Sequence, residues 1–266
     1  LSLSETDILQ LTQAKRLLEN PGLAAKITDF IGTPIEKGFA MLPKSLNEGI
    51  GKVTQAALMK ASDAALFTMK DDPKEQSSDR WHKLGVAVSG GVGGVGGFFG
   101  LSALAIELPI STTIMLRSIA DVARSEGEQI NDLQTQLACL EVFALGGESS
   151  ADDQAEKGYF AVRTVIANSI AEAAEYVAAK GISKEAGPAM VKLVAVIAER
   201  FGVQVTQKMA AQAVPAIGAA GGAIINTLFI DHFQDMARGH FIVRRLERKY
   251  TAVAVREAYT ELSLSL

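Results

Sequence analysis

The sequence predicts an all-α protein, a multi-helix bundle with two glycine-rich apolar helices packed at its centre. Three observations carry this. No stretch sustains the period-two alternation of β-branched residues that a half-buried strand needs. Apolar residues recur instead at three- and four-residue spacing, between breaks of proline, glycine and polar residues. Two uncharged runs, 84–106 and 209–230, each exceed 20 residues and are rich in small side chains.

From the N-terminus, Ser4 and Asp7 resemble a capping box, and Ile8, Leu11, Ala14 and Leu18 keep helical spacing until Pro21-Gly22 ends the helix. Pro34 and Pro43 break residues 23–50 into short helices and turns. Helix resumes near Ser45 and runs toward Met69. Asp71-Asp72-Pro73 and the polar KEQSSDR make a loop, which divides an N-terminal helical arm, 1–72, from a main helical domain, 73–262. The two are expected to form one compact unit.

The run 84–106 comes next, LGVAVSGGVGGVGGFFGLSALAI, with eight glycines among its 23 residues. Each glycine costs about 1 kcal/mol of helix propensity relative to alanine. Such a helix forms only where close backbone packing offsets that cost. Gly90 and Gly94, and likewise Gly93 and Gly97, are four apart and place flat patches on shared helix faces. Gly218 and Gly222 repeat the interval in the second run, where Pro215 is expected to open the helix. A literal GxGxxG occurs over 91–96, but no strand precedes it and no lysine lies between Lys83 and Lys157. A phosphate-cradling loop lacks its context here.

Pro109 is expected in the first turn of a new helix reaching about Ser125. Asn131 or Asp132 opens another through Leu145, closed by Gly146-Gly147. An alanine-rich helix covers about 152–180, and two helical segments cover 183–213, interrupted at Gly187-Pro188 and Gly202. A last helix runs from about Ala223 toward Glu261.

Composition narrows the function. Hydrophobic residues make up 48% of the 266, charged residues 21%, and the net charge is −4. That balance argues against a general nucleic-acid binder, which carries a basic excess. Cys139, the single cysteine, excludes an intramolecular disulfide and sits in apolar LACLEVFAL, as an inert buried thiol does. The start shows no basic region followed by an apolar core and cleavage site, so no leader is expected.

Several segments together resemble the EcsC protein family. They are Trp81 with SGGVGGVGGFFG, ELPISTTIMLRSIADVARSEGE, LACLEVFALGG, GYFAVR and NTLFIDHFQDMARGHFIVRRLERKY, which span about 81–250 and leave the arm outside. The family takes its name from an operon that also encodes an ABC transporter. The resemblance implies a bacterial, cytoplasmic protein, peripheral at the inner face of the membrane. It names no catalytic residue.

Four constellations invite chemistry. Glu107 is the only charge in residues 84–116. In apolar surroundings a carboxylate finds a partner or becomes neutral. An ion pair with Arg117 or with an arginine of the last helix competes with a buried acid. Ser111, Thr112 and Thr113, with Arg117 one turn on, suit an anion or lipid head group at a helix start, or they simply satisfy backbone groups. Asp231, His232, Asp235 and His240 give too few convergent ligands for a metal, and no metal or cofactor is expected. Arg238, Arg245 and Lys249 form one stripe, with Arg244 and Arg248 beside it, fit for an anionic membrane surface or for ordinary ion pairs.

The leading reading is a non-catalytic, membrane-associated or lipid-binding helical protein, accessory to a transport system. Its partners would be a lipid or membrane surface and a membrane protein, with no nucleic acid. Two alternatives stay open: an enzyme, metal-dependent or hydrolase-like, using Glu107 with Asp231 or His232, and a protein–protein interaction module.

Overall fold

The computed structural model describes residues 3–19, 22–32, 34–42, 44–68, 100–146, 158–180, 187–214 and 218–262. Among these, every regular element is a helix and none is a strand. The helices are α1 (Glu5–Glu19), α2 (Leu23–Ile31), α3 (Glu36–Met41), α4 (Lys44–Thr68), α5 (Gly100–Ser125), α6 (Leu133–Glu141), α7 (Tyr159–Lys180), α8 (Pro188–Gln212), α9 (Gly218–Lys249) and α10 (Ala252–Glu261). A 3-10 turn, Val142–Ala144, extends α6. Gly90, Gly93, Gly94 and Gly97, with the loop expected at 71–80, lie outside the described residues.

Half of the capping box at α1 forms: the Asp7 backbone N–H donates to Ser4 Oγ at 3.2 Å, but the Ser4 N–H donates to Tyr250 Oη at 3.1 Å rather than to Asp7. The buried face is Asp7, Leu11, Ala14 and Leu18, while Ile8 is exposed. Asp7 turns inward because Lys249 Nζ and the Tyr250 hydroxyl both donate to its Oδ2, at 2.7 and 2.6 Å.

The Pro109 expectation fails. Helix α5 begins at Gly100 and carries Pro109 in its interior. A proline there deprives the Ala105 carbonyl of its usual donor, which a helix tolerates where that carbonyl can meet water. Ala105 is exposed. Gly202 does not interrupt its helix either, since α8 runs unbroken from Pro188 to Gln212. The last expected helix is two. It breaks after Lys249, and Thr251 caps α10 by accepting from the Ala254 N–H at 3.2 Å.

Helix α9, with 32 residues and about 48 Å long, is the axis of the bundle. It packs against α1, α2, α5, α8 and α10, while α4 lies across α5 and α8. Gly239 admits α1: a Cβ there would sit 2.6 Å from Leu18 Cγ and 3.0 Å from the Ala14 carbonyl oxygen. Phe143, Phe201, Phe229 and Phe233 interlock at the centre, with neighbouring rings 5.0 to 6.0 Å apart. One hydrophobic core joins Leu11, Ile27 and Ile50 to Leu104, Ile197 and Phe233. A division at 72/73 therefore does not divide the core.

Candidate functional site

Two groups of buried charges lie along α9. In the first, Glu107 of α5 accepts from Lys208 Nζ of α8 at 2.6 Å, with side-chain exposures of 11% and 1%. The ammonium also sits 5.0 Å from the centre of the Phe229 ring. Neither Arg117 nor an arginine of the last helix is the partner in this bridge. Lys208 is the charge that immediately precedes the second uncharged run, as Glu107 immediately follows the first. That symmetry is the signal in the sequence for this pair.

The anion site at Ser111, Thr112, Thr113 and Arg117 loses its geometric premise. These residues lie mid-helix, where backbone N–H groups are already engaged. The Ser111 hydroxyl donates to the Leu108 carbonyl at 3.2 Å and the Thr113 hydroxyl to that of Pro109 at 2.8 Å. Thr112 is buried, with no partner for its hydroxyl among the described residues. Arg117 is half-buried.

His232 is buried in α9, and neither ring nitrogen has a hydrogen-bond partner among the described residues. Glu107 and His232 thus form no acid–base couple. Burial, with a smaller push from Lys26, brings the imidazole down to about 3, so it is neutral at physiological pH. Gly146 closes the 3-10 turn at φ 71°, and a Cβ on it would lie 2.7 Å from His232 Nε2. Asp231 is half-buried beside it. Among the described residues, no three His, Cys, Asp or Glu side chains gather as metal ligands would.

The basic end of α9 is a set of latches. Arg245 donates to Glu126 at 2.6 Å, Arg248 pairs with Glu128, and Arg244 meets the same Glu128 at 2.9 Å. Lys249 holds Asp7 at 2.7 Å. Arg238 lies 3.8 Å from Asp235, which also receives Lys26 at 3.0 Å. These pairs tie α9 to the α5–α6 turn and to α1. Gly222, in the first turns of α9, is buried, and Gly218 is that helix's first residue.

The second group was missed. Glu141 ends α6, Tyr159 and Arg163 lie in the first turns of α7, and His240 and Glu247 come from α9. Tyr159 Oη is 2.9 Å from His240 Nδ1, and His240 Nε2 is 3.7 Å from Glu141 Oε2. Arg163 grips Glu247 with both fork ends, at 2.7 and 3.2 Å, and reaches Glu141 only through Nε at 3.6 Å. Glu141 is 4% exposed and His240 0%. Burial drives the Glu141 carboxyl up to about 7 against the pull of Arg163 and Arg244, and Glu247 reinforces the rise. Burial likewise holds the His240 imidazole well below its ordinary range, with Arg163 and Arg244 adding to it. The signal was present: Glu141 is the only charge in residues 129–147 besides Asp132.

Residues 5–246 match the EcsC protein family. The chain belongs to the EcsC protein family. Both buried clusters fall almost wholly inside the matched span, with Glu247 one residue beyond it. The match also begins in α1, so the family extends over the N-terminal helices that the motif resemblance left out. No curated protein and no solved structure matches this EcsC-family chain. Among the described residues, no helix is long and apolar enough to cross a membrane.

Proposed function

We propose that this EcsC-family protein is a non-catalytic helical protein that attaches peripherally to a lipid surface through the outer face of α5, on the cytoplasmic side and in the service of a transport system. One observation carries the reading. Glu107, the single charge in residues 84–116, is turned inward and neutralised by Lys208, which leaves the outward face of that part of α5 without formal charge. On this face Ile106 is 69% exposed and Ile110, one turn on, 48%. Ala105 is exposed beside them. Apolar side chains one turn apart on a helix, continuous with a long uncharged segment, suit the boundary between head groups and acyl chains.

Full burial of an isoleucine contributes about 1.5–3 kcal/mol, and these two begin 69% and 48% exposed. Attachment through them alone is weak and reversible. The arginine stripe contributes little beyond this, because Glu126, Glu128 and Asp7 already hold Arg245, Arg248 and Lys249. Binding should therefore depend more on apolar surface than on anionic lipid or ionic strength.

Flotation of the purified protein with phosphatidylcholine vesicles, with and without an anionic fraction, tests this. Co-flotation that survives added salt and is lost in the Ile106→Asp/Ile110→Asp double variant supports the proposal. Wild-type protein left in the soluble fraction with both vesicle types overturns it. A single stoichiometric protein partner, recovered through the same two side chains without lipid, would favour the interaction-module reading.

A further inference from the structure

The cluster of Glu141, His240, Tyr159, Arg163 and Glu247 has a shortage of charge partners. An ionised carboxylate at Glu141 needs a cation at hydrogen-bonding distance to offset its desolvation. Arg163 has given both fork ends to Glu247, and Arg244 is held by Glu128 at 2.9 Å. Facing it is an imidazole whose Nε2 has no hydrogen-bond partner among the described residues and points at Glu141 Oε2 from 3.7 Å. Each side lacks what the other can supply. A carboxyl proton is the donor that Nε2 is missing.

We propose that Glu141 and His240 form a one-proton site: the folded chain holds one proton on the Glu141 carboxyl beside a neutral imidazole, and its loss loosens the docking of α7. In the protonated form the Glu141 O–H donates to His240 Nε2, once the gap closes by about 0.5–1 Å to reach hydrogen-bonding range. The ring hydrogen is then on Nδ1 and donates to Tyr159 Oη. When the carboxyl proton leaves for solvent, the ring hydrogen shifts to Nε2, facing the new carboxylate, and the Tyr159 hydroxyl turns to donate to Nδ1. Tyr159 is the first residue of α7 and Arg163 lies one turn on. The two side chains that meet the change are thus those anchoring the start of that helix.

The charges around the pair come from every neighbouring element. Helix α6 supplies Glu141 itself, while α7 supplies Tyr159 and Arg163. Helix α9 supplies His240, Arg244 and Glu247, and the α5–α6 turn supplies Glu128 against Arg244. From α10 the Tyr259 ring lies 5.9 Å from that of Tyr159, and Glu19 of α1 faces Tyr259.

The burial-driven shifts agree with this geometry and set the sign. Glu141 is raised from 4.5 to about 7, so its contribution to stability is complete below 4.5 and is lost as pH rises through 7. His240 is depressed, so its contribution is present above 6.5 and is lost as pH falls below it. Between those two ordinary values the effects offset. The unfolded chain carries the proton on His240, the folded chain carries it on Glu141. Above 6.5 only Glu141 still changes, and stability falls.

Thermal unfolding and amide exchange of the whole protein, wild type against Glu141→Gln, from about pH 6 to about pH 8, test the site. The wild-type midpoint should fall by about 1–2 °C over that range, with faster exchange in α7 than intrinsic chemistry explains, whereas the variant, left with the His240 contribution alone, should show no fall and no such exchange. Identical pH profiles for the two would overturn the proposal. Nitrogen NMR of His240 in the wild type decides the matter independently of how the variant folds. An Nδ1–H tautomer giving way to Nε2–H as pH rises through about 7 supports it. An imidazolium at about pH 6 refutes it.

Discussion

Two buried carboxylates at different levels along α9 meet their surroundings differently. Glu107 touches an ammonium at 2.6 Å, and that ammonium has an aromatic ring at its back. Glu141 touches no cation so closely: Arg163 stands at 3.6 Å and is committed elsewhere. A lysine serves the first because a compact point charge on a flexible stem can be buried whole against one oxygen. An arginine serves the second poorly because its fork pairs fully with only one carboxylate at a time, and Glu247 has it. The first site is a closed ion pair that clears charge from the outer face of α5. The second is a place for a proton.

The largest effect should come from breaking the closed pair. Lys208→Met leaves Glu107 buried without its cation and should cost about 3–5 kcal/mol in chemical denaturation, while the Lys208→Met/Glu107→Leu double variant should recover most of it. A double variant as unstable as the single would mean that the pair is not the unit. Next is Arg163→Met, which removes the bidentate bond to Glu247 and should cost about 1.5–3 kcal/mol. Without the competing guanidinium, Glu141 should keep its proton to higher pH, visible as an upward shift in the stability profile.

Glu141→Gln should be smaller still, within about 1 kcal/mol near pH 6, because the amide keeps the shape of the neutral carboxyl. Above pH 7 its sign should reverse in the variant's favour. Arg245→Ala is the smallest, about 0.2–1 kcal/mol, since its pair with Glu126 is part-exposed. A cost well above that would show that the latches of α9 act as a network.

The local pattern made much of the fold legible. Caps, proline breaks and three- and four-residue spacing located most helices, and Gly146 closed its turn as read. What local pattern cannot carry is the identity of a partner far along the chain. Asp7 displaced Ile8 from the buried face because Lys249 and Tyr250 wait for it. Lys208 reaches Glu107 from 101 residues away, a contact no periodicity announces. Proline's usual preference makes Pro109 a helix start, and tertiary packing of a 26-residue helix overrides it. Glu141 was readable by the same logic as Glu107, a charge in an apolar run, yet only the structure joins it to Tyr159 and His240. The four glycines of 90–97, on which the expected helix-to-helix packing rested, lie outside the described residues.

The account turns on which surface of α5 meets an apolar phase. A nitroxide at Ile110→Cys, with a control at the exposed Glu172→Cys of α7, reads this from accessibility to oxygen and to a water-soluble relaxer. On adding vesicles, the label at 110 should gain oxygen contact and lose the aqueous relaxer, while the label at 172 should not change. Two labels that stay equally aqueous, with vesicles in excess, would contradict it.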